Sequence, residues 1–217
     1  MAGVILTSQG KALMKDSKIV GLDLQYVDYL WADVGNPRIE VTFASSRTRI
    51  YSTIRFHDTI PNDNNAFIRL FDSSGNGTAS YIDNKIFRMW HGRGQRSYTT
   101  NVTAQINHDY TVILTPNTNL TGYLMGVDNT WSSGAPIDYY VKLYIARSGT
   151  AVIPVAYGTI SLFDRTGTSG GTAVYADIAK LRPCRYNGEY GMWDMLSNTF
   201  YGNVVDGASW TGGSLNS

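Results

Sequence analysis

Apolar and polar residues begin to alternate at residue 39. Ile39, Val41 and Phe43 share one face of an extended segment, and Ile50, Ile54 and Phe56 then take the opposite parity, which predicts a turn or bulge near Ser45 and Ser46. Segments of the same character recur at residues 66–71, 81–90, 97–104, 110–115, 139–146 and 157–164. Polar breakers divide most of them, at residues 73–77, 116–117, 132–134 and 166–171. Many short strands with turns between them indicate an all-β sandwich or barrel. Two antiparallel sheets packed face to face suit strands with one apolar and one polar side. Asn187-Gly188 predicts a tight turn near the C-terminus, and a second hairpin is expected between Phe200-Tyr201 and Ser209-Trp210-Thr211. Only residues 7–18 read as helix, with Thr7 or Ser8 as N-cap and Ala12, Leu13 and Met14 as helix formers, weakened by Gly10. This divides the chain into a helical or extended attachment segment at residues 1–31 and one β-sandwich domain at residues 32–217.

Composition narrows the function classes. Eighteen basic and 17 acidic side chains leave a formal charge of +1, so no strong field concentrates nucleic acid or anionic lipid at the surface. The arginines scatter over alternate strand positions such as Arg47, Arg49 and Arg55 instead of forming a stripe. No apolar run approaches the ~20 residues of a bilayer span, so membrane insertion is not expected. Cys184 is the one cysteine, which excludes a scaffold stapled by internal disulfides.

The C-terminal stretch carries a more specific signal. Leu181-Arg182-Pro183-Cys184-Arg185 is followed by Gly191-Met192-Trp193-Asp194, then Asn198-Thr199-Phe200-Tyr201-Gly202-Asn203 and Gly207-Ala208-Ser209-Trp210-Thr211-Gly212-Gly213. This order and spacing resemble the closing signature of concanavalin A-like, laminin-G-type jelly-roll domains of gut bacteria and their phages. Residues 140–147 and 158–164 resemble two upstream strands of the same family. The resemblance implies a sandwich fold and a place among recognition domains.

Catalytic chemistry is poorly provided for. Glucanases of this fold place two glutamates and an aspartate at alternate positions of one strand, bringing acid and nucleophile together across a sugar ring. Here Glu40 and Glu189 are the only glutamates, and no Asp-x-Asp or Asp-x-Glu occurs among the fifteen aspartates. The one Gly-x-Ser-x-Gly match, Gly167-Thr168-Ser169-Gly170-Gly171, is followed by no helix pattern and so does not read as a nucleophile elbow, and Cys184 in its Pro-Cys strand reads as a small buried thiol. His57, His91 and His108 lie far apart with no metal-ligand spacing. No enzyme, no catalytic residue and no transition-metal site is therefore expected. Calcium is the one conceivable cofactor, through the turn residues Asp63, Asp72, Asp128 and Asp138, although turn initiation explains those aspartates as well. The loop His91-Gly92-Arg93-Gly94-Gln95-Arg96 lacks the third glycine of a nucleotide-binding turn.

Recognition remains. Sugars bind through an aromatic ring on the apolar pyranose face, with polar groups bonded to the hydroxyls. Trp90 with His91 and Arg93 forms one candidate loop, and Asp128, Asn129 and Trp131 form another. The chain opens Met1-Ala2-Gly3-Val4-Ile5-Leu6-Thr7, which does not read as an export leader. The expected setting is therefore a virion surface assembled in the bacterial cytoplasm, as a head fibre, capsid decoration or tail-fibre head. Residues 1–31 would attach to other virion proteins, a homo-oligomer, by expectation a trimer, would add weak sugar contacts by avidity, and host or environmental glycans would be the ligands. The alternative is a bacterial secreted or cell-surface glycan-binding module; a glycoside hydrolase ranks below both.

Overall fold

The computed structural model describes residues 14–15, 18–19, 23–60, 65–91, 96–114, 121–124, 127–130, 139–145 and 154–215. Every regular element among them is a strand. In chain order these are β1 (Met14–Lys15), β2 (Lys18–Ile19), β3 (Leu24–Tyr26), β4 (Tyr29–Val34), β5 (Ile39–Ser46), β6 (Thr48–Phe56), β7 (Asn65–Phe71), β8 (Gly77–Asp83), β9 (Ile86–His91) and β10 (Arg96–Thr103). They continue with β11 (Asp109–Leu114), β12 (Thr121–Leu124), β13 (Val127–Thr130), β14 (Tyr140–Ile145), β15 (Val155–Ser169), β16 (Thr172–Tyr186), β17 (Glu189–Asp194), β18 (Thr199–Tyr201) and β19 (Ser209–Gly213).

Two antiparallel sheets form a sandwich, an architecture consistent with a jelly roll. The larger has eleven strands, of which β1 and β2 are two residues each. The hairpin β15–β16 is its axis, flanked by β6 and β11 on the β15 side and by β17 and β18 on the β16 side. Residues 24–34 run along both: β3 pairs the end of β16, β4 pairs the start of β15, and β19 lies beyond β4. The smaller sheet runs β10-β9-β8-β7-β14-β5, and β12–β13 is a separate ribbon.

Alternation decides which side chains meet between the sheets. Along β6 the inward set is Thr48, Ile50, Ser52, Ile54 and Phe56, and on the facing sheet Phe67, Leu70, Phe87, Met89 and Leu143 are fully buried. Phe87 touches Phe56 across the gap with ring centroids 6.0 Å apart, and Tyr110 with centroids 4.8 Å apart. Three buried hydroxyls find partners inside this core. Tyr157 donates to the Phe67 carbonyl at 3.0 Å, tying one sheet to the other, and Thr78 shares a 2.7 Å bond with Tyr140. A second, smaller cluster of Leu24, Tyr26, Cys184 and Trp193 sits on the opposite face of β16, roofed by Tyr186 and Phe200.

Two polar residues and a glycine of the C-terminal signature have clear physical roles. Asp194 is buried; its Oδ1 accepts the Lys180 and Leu196 N–H groups at 2.9 and 3.1 Å, and its Oδ2 the Ser197 hydroxyl at 2.6 Å. Asn203 donates to the Val205 and Ala208 carbonyls, both at 2.6 Å, and accepts the Arg38 N–H at 2.9 Å, stapling the last loop to the start of β5. Gly191 has no room for a Cβ, which would strike the Tyr201 carbonyl and the Phe200 ring.

Four sequence expectations need correction. Within residues 7–18, expected to be helical, the described residues Met14–Lys15 and Lys18 are strand, because pairing Met14 with Ile19 and Ile19 with Leu24 extends the large sheet; residues 1–13 and 16–17 lie outside the described set. Residues 81–90 are not one strand, since Asn84 and Lys85 at φ 49° and 63° turn β8 into β9. The breaker at residues 166–171 is strand as far as Ser169, and only Gly170 and Gly171 make the turn, at φ 57° and 83°. Phe200 and Tyr201 pair β17, and β19 pairs β4, so the two do not form a hairpin with each other. The turn at Asn187-Gly188 is present, at φ 48° and 87°.

Candidate functional site on the outer face of the larger sheet

The alternation that buries Ile50, Ile54 and Phe56 sends Arg49, Tyr51, Thr53 and Arg55 outward as a row. Register sets Asp109 of β11 opposite Arg55, and β4 adds Tyr29 and Trp31 on either side of buried Leu30. β16 contributes Arg182, outward between buried Leu181 and Pro183. An open groove of about 540 Å³ lies among them, lined by Tyr29, Arg55, Arg182, Thr53, Thr159 and Asp28 in particular. Gly158 keeps its floor low, where a Cβ would stand 3.1 Å from that of Thr53. The volume falls within the ~300–1,000 Å³ of small-molecule sites.

One wall is a fixed polar network. Arg55 grips Asp109 with both arms, Nε to Oδ1 at 2.7 Å and Nη2 to Oδ2 at 3.0 Å, and Tyr29 donates its hydroxyl to Oδ1 at 2.6 Å. The bonds from Arg55 hold the Asp109 carboxyl below the usual aspartate range. Burial, and then the bond to Asp109, push the Tyr29 phenol up to about 12, so it remains a donor at neutral pH. Arg55 also bonds the Leu215 carbonyl at 3.3 Å, so the described end of the chain forms part of the rim. On the other wall Arg182 rests on the Tyr26 ring, 4.5 Å from its centroid, and makes no ion pair among the described residues. Farther along the same face Arg49 lies between the rings of Tyr51 and Tyr175, at 5.0 and 4.9 Å, and Tyr51 meets Phe163 edge-on at 5.5 Å. Guanidinium groups, hydroxyls and ring surfaces on one shallow face can bond hydroxyls and cover an apolar ring.

The residues expected from the sequence lie elsewhere. Trp90 and His91 belong to β9, a central strand paired on both sides with β8 and β10, and Asp128 and Asn129 belong to strand β13, not to a loop. The ribbon carrying β13 approaches β9 through β12, so the two segments are neighbours in the fold. Their side chains, together with Arg93 and Trp131, lie outside the described residues. The groove residues were missed because Arg55, Asp109 and Tyr29 converge only through strand register. The outward parity of Arg49 and Arg55 was the one trace in the sequence.

Other candidate chemistry separates in space. Glu40 lies on β5 and is paired with Arg38 at 2.8 Å and Lys142 at 3.5 Å. Glu189 lies on β17 in the other sheet and accepts the Asn203 N–H at 3.1 Å. Burial pushes the Cys184 thiol up to about 12, leaving no thiolate nucleophile. His57 packs near Trp31 and pairs with Asp58, whereas His108 stands against Tyr110. Asp72 spends both oxygens on its own turn, bonding the Ser74 and Asn76 N–H groups and the Asn76 side chain; Asp63 and Asp138 and the Asp128 side chain lie outside the described residues. No group of three metal-ligating side chains occurs among the described residues. A second groove of about 520 Å³ lies over the C-terminal signature, between Glu189, Tyr190, Asn203, Asp206 and Trp210.

No protein-family model matches the sequence, and no curated protein matches it.

Proposed function

We propose that the chain is a non-enzymatic glycan-recognition module displayed on a phage particle, as a head fibre, capsid decoration or tail-fibre head. The carrying observation is the groove walled by Tyr29 and Arg55 on one side and Arg182 on the other, over a floor of Thr53 and Gly158. It offers donors, acceptors and ring surface to a saccharide, and the two carboxylates beside it are engaged, Asp109 with Arg55 and Tyr29 and the lining Asp28 with the Ser214 hydroxyl. A hydrolase needs two carboxyl groups about 5–9.5 Å apart, one on each side of the scissile bond. Neither glutamate supplies that pair, since they sit in different sheets and are bonded to other groups. The signature from Leu181 to Gly213 and the two-sheet sandwich support membership of the concanavalin A-like, laminin-G-type group and, through its phage members, the virion setting.

The test is incubation of the full chain with a polysaccharide panel, reading both retention and new reducing ends. Retention of at least one polysaccharide without new ends is expected; release of ends would overturn the reading. The virion setting is tested by deletion of residues 1–22, which stops short of β3 at Leu24 and so leaves the described sandwich strands from β3 onward in place. Loss of particle attachment with an intact fold is expected. A free, monomeric lectin whose behaviour the deletion leaves unchanged favours the secreted bacterial module instead.

A further inference from the structure

The hairpin β15–β16 outgrows its sheet. β6 leaves β15 at Asp164, with a last main-chain bond from the Arg165 N–H to the Arg47 carbonyl at 3.1 Å. β17 leaves β16 at Leu181, with a last bond from the Met195 N–H to the Lys180 carbonyl at 2.8 Å. Beyond these points residues 166–179 form a two-stranded arm paired only with itself, and no described strand covers either edge. From Thr166 the arm reaches roughly 15 Å to its turn at ~3.3 Å per residue.

A bare edge is a row of N–H and C=O groups ready for another strand, and proteins usually guard it with charge, proline or a bulge. Between Thr166 and Ala176 there is no charged residue and no proline. The register shift between Arg165 and Gly167 bulges the β15 edge at Thr166, whereas β16 pairs without a bulge from Thr172 to Asp177. The flat edge is therefore that of β16, reading Thr172-Ala173-Val174-Tyr175-Ala176.

We propose that this β16 edge pairs antiparallel with the same edge of a second copy of the chain, about a two-fold axis at Tyr175, joining the larger sheets of two copies into one. In that register Tyr175 faces its counterpart, Val174 faces Ala176 and Ala173 faces Asp177, so apolar pairs lie across the axis and no like charges meet. The Gly170-Gly171 turn of each arm then arrives beside Lys180 of the other copy, next to Met195 and Leu196. Those two side chains are 47% and 45% exposed and Val174 is 42% exposed, so three of the seven large exposed hydrophobics among the described residues follow this one edge. A formal charge of +1 supplies no repulsion between copies, and a self-complementary two-fold contact is the commonest closed assembly.

Sedimentation of the full chain over a dilution series tests this, together with oxidative cross-linking. Expected are a monomer–dimer equilibrium, a dissociation constant raised at least tenfold by Val174→Lys with Ala176→Lys, and a covalent dimer from Tyr175→Cys but not from Thr168→Cys on the other edge. Cys184, fully buried, does not compete. A monomer at every concentration, a trimer, an unweakened double-lysine dimer, or equal cross-linking from both cysteine variants would overturn the proposal; the cysteine pair decides if the double-lysine variant does not fold.

Discussion

The two ends of the hairpin β15–β16 are built from the same strands and live in different surroundings. At the foot, Ile160, Leu162 and Leu181 are buried in the main core with strands on both sides, and Ala179 is buried beside them. At the tip, residues 166–172 are exposed and each strand has only the other. Strand conformation at the tip therefore comes from local causes: a two-glycine turn with positive φ at both positions, and threonines that favour extended backbone. At the foot, burial on one face adds far more than local preference does. Extended conformation and stability are thus separable properties within one hairpin.

Leu181→Ala should cost about 2–5 kcal/mol by opening a cavity at the foot, whereas Val174→Ala at the tip should stay within about 0.5 kcal/mol in the monomer; urea unfolding at concentrations below association measures both. Equal losses would mean that the tip is packed in the isolated chain. Asp194→Ala strands the Lys180 and Leu196 N–H groups beside the foot and should cost about 2–4 kcal/mol in the same assay. Gly170→Ala forces a side chain into positive φ and should cost about 1–2 kcal/mol of local stability. Its signature is faster amide exchange confined to residues 165–177, with exchange at the foot unchanged.

The smallest effects concern two surface ion pairs, one on the groove wall and one at the base of the arm. The Asp109 carboxyl is held low by Arg55, so the fold prefers its charged form. That contribution is complete above the ordinary aspartate range and disappears as pH falls through the lowered value. Because Asp109 is 47% exposed, Asp109→Asn should cost under about 1 kcal/mol at pH 7, and the loss should vanish in acid. The exposed pair of Asp177 and Lys180, at the base of the arm, should contribute less still, so Asp177→Asn leaves the urea midpoint unchanged.

This contrast also explains what the sequence reveals. Alternation marks β5, β6, β7, β11 and β14 because one face of each is buried, and Asn187-Gly188 marks its turn because positive φ demands those residues. The arm escapes the same reading: Thr166-Gly167-Thr168-Ser169-Gly170-Gly171 has no buried face and so no apolar period, and its glycines resemble a loop. Asn84-Lys85 is hidden for the opposite reason, since the apolar residues on both sides run on as if in one strand. The groove is least visible, because Tyr29, Arg55, Asp109 and Arg182 lie far apart in sequence and meet only through register.

The most direct test of the account is the affinity of Arg182→Ala and Trp90→Ala for a saccharide that the unaltered chain retains, measured by titration calorimetry with circular dichroism to confirm the fold. A groove on the outer face predicts at least a tenfold loss, about 1.4 kcal/mol, for Arg182→Ala and little change for Trp90→Ala. Full affinity in Arg182→Ala with binding abolished in Trp90→Ala would contradict it and place the site at β9 instead.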